Sequence, residues 1–279
     1  MTIELSILEL PAPELQFGGA VTASDPKVGL DAAGPFDLRF GSARKTQVNV
    51  GVIGPSNMVD LAVAWIERCR KPIPVLGEAS LLRRPFAGFK ETFHRELELQ
   101  SSWTIRLDSA TRDELGEALA IADPFARFDR VVELYANALE GLAARDSNRP
   151  DIVIVALPDE VLKKVRTVER NATYEEKKTA EAIRKARERK QLDLFDLLQD
   201  VEQSDEDFLK RDLRHALKAR ALKFKLPIQI ATIGLLEDSA RGQDAATRAW
   251  NFSVGAYYKA GGVPWRMPQT GPETCFVGI

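Results

Sequence analysis

The clearest signal in the pattern of apolar and polar positions is Ile152-Val153-Ile154-Val155-Ala156-Leu157, a continuous apolar run closed by Pro158. It predicts a strand buried on both faces in the middle of a parallel sheet. Earlier, Val48-Asn49-Val50-Gly51-Val52-Ile53 is β-branched and predicts a second strand, followed by the turn Gly54-Pro55-Ser56-Asn57. Met58, Leu61, Ala62, Trp65, Ile66 and Cys69 then recur at helical spacing until Pro72. Strand, turn and helix in that order begin an α/β unit. Another strand is expected around Trp103-Thr104-Ile105-Arg106-Leu107, and an amphipathic helix with Phe125, Phe128, Val132, Tyr135, Leu139 and Leu142 on one side. A last strand (228–235) and helix (245–260) lead to Gly261-Gly262 and Pro264.

Two stretches break this rhythm. Residues 1–45 are rich in proline and glycine with short alternating runs, and predict an extended lead-in segment. Residues 167–209 read as a charged insertion: 175–189 mixes both signs like a solvated helix, and 193–207 carries seven acids and no base. The sign then reverses, because 210–225 (KRDLRHALKARALKFK) holds seven bases and one acid.

Composition narrows the chemistry. With 39 basic and 41 acidic residues among 279, the chain is no globally basic nucleic-acid binder, although a local patch is compatible with that balance. Two cysteines, Cys69 and Cys275, fit a reducing cytoplasm and make no disulfide framework. Only His94 and His215 are available as imidazoles, which argues against a multi-histidine metal site. No run has the length of a membrane span. Gly51-Val52-Ile53-Gly54 lies where nucleotide folds place phosphate loops, but it lacks both the third glycine of the dinucleotide fingerprint and a Gly-Lys-Ser/Thr, so a tight turn is expected. There is no Gly-x-Ser-x-Gly elbow for nucleophilic hydrolysis.

The basic stretch is more informative. On a helical wheel Arg211, Arg214, Lys218 and Lys225 fall within about 60° of one another, beside an apolar stripe of Leu213, Leu217, Ala221 and Phe224. Such cations serve a helix C-terminus or keep a surface wet. They can also take an anion, because Arg214 and Lys218, one turn apart, reach the same phosphate. The last helix adds Asn251 and Lys259, eight residues apart and roughly on one face.

Several segments resemble the short prokaryotic Argonautes. Ala256-Tyr257-Tyr258-Lys259-Ala260-Gly261-Gly262-Val263-Pro264-Trp265 resembles the junction of the MID and PIWI domains, and Leu217-Lys218-Ala219-Arg220 with Pro227-Ile228-Gln229-Ile230 resembles the preceding MID helix and strand. Asp25-Pro26-Lys27-Val28-Gly29-Leu30, Gly34-Pro35-Phe36, Val50-Gly51-Val52-Ile53-Gly54, Phe86-Ala87-Gly88-Phe89 and Cys275-Phe276-Val277-Gly278-Ile279 follow the family order. The resemblance implies a Rossmann-like MID domain over 46–265, a mostly parallel sheet flanked by helices, with the start of a PIWI domain at 266–279. It also implies a pocket for the 5′-phosphate of a small guide RNA or DNA. Carried over, the pocket residues are Arg214, Lys218, Gln229, Asn251 and Lys259. Arg214 stands where the family usually has tyrosine or histidine, which keeps a phosphate donor but removes a ring that stacks on the first base.

The resemblance implies further expectations about partners and chemistry. The carboxylates with which slicing relatives hold metal ions belong to later PIWI strands, so the chain is expected to be no nuclease by itself and to have no catalytic residues of its own. The one cofactor implied is magnesium at the guide phosphate, although the family holds it with the carboxylate of the full-length C-terminus. Implied partners are a guide, a complementary target and an APAZ-containing effector protein bearing a TIR, SIR2 or similar domain, in prokaryotic defence. The other readings are half of a split nuclease whose PIWI carboxylates come from another chain, and a non-binding remnant or protein-interaction scaffold.

Overall fold

The computed structural model describes residues 12–80, 83–109, 112–145, 148–169, 178, 210–238 and 242–268. The expectations for 175–189, for 193–207 and for the strand 275–279 lie outside these residues, apart from position 178. The chain divides into two compact units. One, the sheet unit, takes the described parts of 49–66 and 98–240; the other, the aromatic unit, takes those of 1–48, 67–97 and 241–279.

The sheet unit is an α/β, Rossmann-like fold with a four-stranded parallel sheet. Its order is Ile228–Thr232, Ile152–Leu157, Gln47–Gly54, Glu96–Arg106. Val50 pairs with Ile152 and Ile53 with Val155, while Ile228 pairs with Val153 and Thr232 with Leu157, all parallel. Bonds from Glu96 N–H to Thr46 O and from Leu107 N–H to Gly54 O run in the same sense along the outer pair. Every residue of Ile152–Leu157 is buried, as its unbroken apolar run requires of a strand with neighbours on both sides.

Alternation along the strands separates two faces. Ile53, Val153, Val155, Leu157 and Ile228 belong to a core completed by the helices Glu114–Leu119, Pro124–Ala143, Asp159–Val165 and Leu213–Lys223. Val50, Val52, Ile152 and Ile154 point the other way and are equally buried. Right-handed crossover places the Ser56–Cys69 helix, which follows the first strand, over that second face.

Four sequence expectations change. Gly51-Val52-Ile53-Gly54 is not a tight turn: parallel pairing holds it in the strand to Gly54, and the turn is Pro55. The strand expected near Trp103 begins at Glu96, where Glu96-Leu97-Glu98-Leu99 alternates as an edge strand does. The last strand ends at Thr232, and Ile233–Leu236 is a helical turn. The lead-in is not simply extended, since Pro26–Ala33 is a helix whose start is set by Pro26 and by the Asp25 carboxylate accepting from the N–H groups of Lys27 and Val28.

The aromatic unit is built differently. Phe86 meets Trp250 edge-on with ring centroids 5.2 Å apart, and Phe93 stacks on Tyr257 at 4.6 Å. Trp250 Nε1 donates to Pro85 O. At the centre Asp37, 1% exposed, accepts four hydrogen bonds: Arg44 Nε at 2.9 Å, Tyr257 OH at 2.5 Å, Arg95 Nη2 at 2.9 Å and Val263 N at 3.1 Å. Beside it Phe36 N–H and Asp37 N–H donate to Pro264 O and Val263 O. These bonds tie Gly34-Pro35-Phe36 to Gly262-Val263-Pro264, segments far apart in the chain. Two glycines are required by close approach: a Cβ on Gly29 would lie 2.1 Å from the Phe17 ring, and one on Gly262 2.4 Å from the Tyr257 ring. The motif glycines thus have a packing role in this unit.

Candidate functional site

The basic stretch divides into three local structures. Lys210–Asp212 is a strand, antiparallel to Thr167–Glu169, and the helix starts only at Leu213 because the Asp212 carboxylate caps it through His215 N–H at 3.1 Å. Arg211 therefore leaves the helical row. Its guanidinium pairs with Asp129 at 2.5 Å and lies over the Phe125 ring, tying this segment to the Pro124–Ala143 helix. Lys225 also lies outside, past the helix end, with φ +50°.

What remains on the helix is sharper than the four-cation row expected. Leu213, Leu217 and Ala221 are buried in the core, with Phe224 packed against it. Arg214 and Lys218, one turn apart, are exposed and have no hydrogen-bond or ion-pair partner among the described residues. Helical geometry holds their Cβ atoms about 5–6 Å apart, close enough for both charges to meet one phosphate. Three other surface cations of this unit are engaged, Arg106 with Asp60 at 2.6 Å, Arg130 with Glu133 at 3.0 Å and Lys164 with Glu160 at 2.9 Å, whereas Lys163, Arg220 and Lys223 are exposed and, like the pair, without such a partner among the described residues.

Gln229 is the second residue of the edge strand Ile228–Thr232 and pairs in register with Ile154. Ile228 and Ile230 face the core that holds the Leu213–Lys223 helix, so alternation directs Gln229 to the opposite face. Within the sheet unit, Arg214 and Lys218 are brought together and Gln229 lies across the edge from them. Asn251 and Lys259 belong to the aromatic unit, on the helix Ala245–Lys259. Asn251 is exposed; Lys259 is half-buried at the last helical position, where a cation complements the dipole. That helix is started by Asp244, whose carboxylate accepts from Thr247 N–H at 3.0 Å and Thr247 Oγ1 at 2.7 Å. Burial opposes ionisation of Asp244, but these hydrogen bonds prevail and hold it below the usual carboxylate range.

The topological switch point, which doubly wound folds use for ligands, lies at the C-terminal ends of Gln47–Gly54 and Ile152–Leu157. The chain fills it with its own anion. Asp108 Oδ1 accepts from Ser56 N–H at 2.6 Å and Ser56 Oγ at 2.9 Å, covering the N-terminus of the Ser56–Cys69 helix. Arg106 Nη1 donates to Ser56 O at 2.8 Å and closes the other side. A nucleotide phosphate would have to displace a carboxylate there, so this crevice is a poor phosphate loop. Asp108 escaped the sequence reading because nothing in Leu107-Asp108-Ser109 marks it as a cap for a helix some fifty residues earlier.

A cleft of about 460 Å³ in the aromatic unit is lined by Thr46, Gln47, Lys90, Glu91, His94, Arg95 and Glu96. Its cations are engaged, Lys90 with Glu96 and Arg95 with Asp37, and its glutamates repel anions. Cys69 is buried, and loss of solvent pushes its thiol up to about 12, far from nucleophilic use. Among the described residues no three His, Cys, Asp or Glu side chains gather as a metal ligand set. No helix of the described residues is long and apolar enough to cross a membrane. No family model matches the chain, and no curated protein matches it.

Proposed function

We propose that this chain is the guide-binding part of a short prokaryotic Argonaute: a MID domain that anchors the 5′-phosphate of a small guide RNA or DNA and does not cleave nucleic acid itself. The observation that carries this reading is the pair Arg214 and Lys218, exposed, one turn apart and without a partner among the described residues. A phosphate monoester concentrates up to two negative charges on adjacent oxygens, and a guanidinium beside an ammonium matches it with charge-assisted hydrogen bonds. The Rossmann-like sheet unit supports the reading at the level of fold. The carboxylate in the switch-point crevice supports it by exclusion, because the usual nucleotide position already holds an anion. The sequence resemblance also names Gln229, Asn251 and Lys259, but the reading rests on Arg214 and Lys218, the two that the sheet unit itself brings together. Target recognition would then act through an APAZ-containing effector protein.

The test is binding of labelled oligonucleotides, matched in sequence, with a 5′-phosphate or a 5′-hydroxyl. Lys218→Ala and Arg214→Ala should each weaken the phosphorylated oligonucleotide by about tenfold or more and leave the hydroxyl one nearly unchanged. Equal loss on both oligonucleotides would reject the pocket.

A further inference from the structure

We propose that Arg39, Phe40 and Arg266 form a second contact for single-stranded nucleic acid on the aromatic unit, one that reads neither the strand's end nor its sequence. The inference rests on the reading above only in taking the same class of ligand; its residues lie outside the proposed phosphate pocket. Phe40 is 53% exposed, although this unit buries Phe17, Phe36, Phe86, Phe89 and Phe93. Its ring meets the buried Phe36 edge-on, with centroids 6.1 Å apart, so it stands on a packed base. Two guanidinium groups cluster around the same base: Arg39 lies 4.6 Å and Arg266 5.9 Å from the Phe36 ring centroid.

Neither arginine has a carboxylate partner among the described residues. Arg39 donates from Nε and Nη2 to the Phe17 carbonyl, at 3.2 and 2.9 Å, which fixes the side chain without neutralising it. Arg266 is fixed through its backbone, which exchanges two hydrogen bonds with Gln16 at 2.7 and 3.1 Å. The acid nearest in sequence, Asp37, is buried and spent on its four donors. The result is an exposed ring and two guanidinium groups gathered on the same buried Phe36, the Arg39 side chain held by the Phe17 carbonyl and Arg266 anchored through its backbone. That is the composition of a stacking platform, in which an aromatic face takes a base and guanidinium groups follow the backbone phosphates. Pre-ordering lowers the entropy cost of taking up a flexible strand. Such a contact tolerates any base, since every base has a π face.

The full chain is titrated with 5′-hydroxyl and 5′-phosphate oligonucleotides of one sequence over a range of salt concentrations. Phe40→Ala should weaken both by the same factor, about fivefold or more, while Phe40→Trp keeps or improves binding. Arg266→Gln should lower the slope of log affinity against log salt by about 0.7 on both oligonucleotides. Lys218→Ala should act on the phosphorylated strand alone. Phe40→Ala and Arg266→Gln variants that bind both strands like the wild type overturn the platform, whatever Lys218→Ala does. A wild type with no affinity for the 5′-hydroxyl strand at low salt overturns it too. A platform effect together with an inert Lys218→Ala would instead keep the platform and reject the phosphate pocket.

Discussion

The sheet unit and the aromatic unit solve the same problem, burial of a core, by opposite means. In the sheet unit the core is almost wholly aliphatic: Val153, Val155, Leu157, Leu213 and Leu217 interlock without a buried charge among them. Among the described residues its one buried phenol is Tyr135, which donates to the Ala156 carbonyl, and burial raises its pKa above the usual tyrosine range. In the aromatic unit large rings surround a buried ionic centre, Asp37 with Arg44 and Arg95, closed by Tyr257. Area-driven packing is non-directional and tolerant. An ionic centre in low dielectric tolerates little, because removal of one member strands the others without water. The aromatic unit is therefore expected to be the more brittle of the two, and its motif residues to be constrained by folding before any ligand is considered.

The largest expected effect is Asp37→Ala, which leaves two buried guanidinium groups without their carboxylate and should cost about 3–5 kcal/mol in urea unfolding. Leu217→Ala in the sheet unit creates a cavity among aliphatic neighbours and should cost about 2–5 kcal/mol. A loss from Leu217→Ala exceeding that from Asp37→Ala would invert the comparison. Gly29→Ala drives a methyl group into the buried Phe17 ring and should cost about 1–3 kcal/mol, a change that a Phe17→Leu background would relieve. Asp244→Ala removes a helix cap and should cost about 1 kcal/mol at neutral pH. The sign of its pH dependence follows from the lowered pKa: the folded carboxylate is more acidic than the unfolded one, so its contribution is full above the ordinary carboxylate range. It fades as the pH falls through the folded value, and the wild type and Asp244→Ala should converge in acid. Lys218→Ala, on an exposed face, should change stability by less than about 0.5 kcal/mol, which separates a binding defect from a folding one.

Much of the sheet unit was legible in the chain. Ile152–Leu157, Gln47–Gly54 and the two long helices follow from unbroken apolar runs and helical spacing, which report local geometry directly. The edge strand Glu96–Arg106 was half missed, because an edge strand has one partner and tolerates Glu98, Gln100 and Ser101. The basic helix was overextended at both ends, since charge alone does not mark where Asp212 caps or where the chain turns past Phe224. Least legible was the aromatic unit. Asp37 reads as one acid among 41, and nothing local announces that Tyr257, more than two hundred positions later, will donate to it. The candidate site divides in the same way. Helical spacing alone placed Arg214 and Lys218 side by side, whereas Gln229, Asn251 and Lys259 were joined to them by resemblance. The cluster of Arg39, Phe40 and Arg266 draws on residues far apart in the chain, so no local pattern could mark it.

The most direct test of the central claim is the ratio of wild-type affinities for one oligonucleotide bearing a 5′-phosphate or a 5′-hydroxyl, measured at near-physiological salt. Recognition by the paired Arg214 and Lys218 predicts a ratio of about ten or more in favour of the phosphate, collapsing toward one in the Arg214→Ala/Lys218→Ala double variant. A wild-type ratio near one would contradict the account.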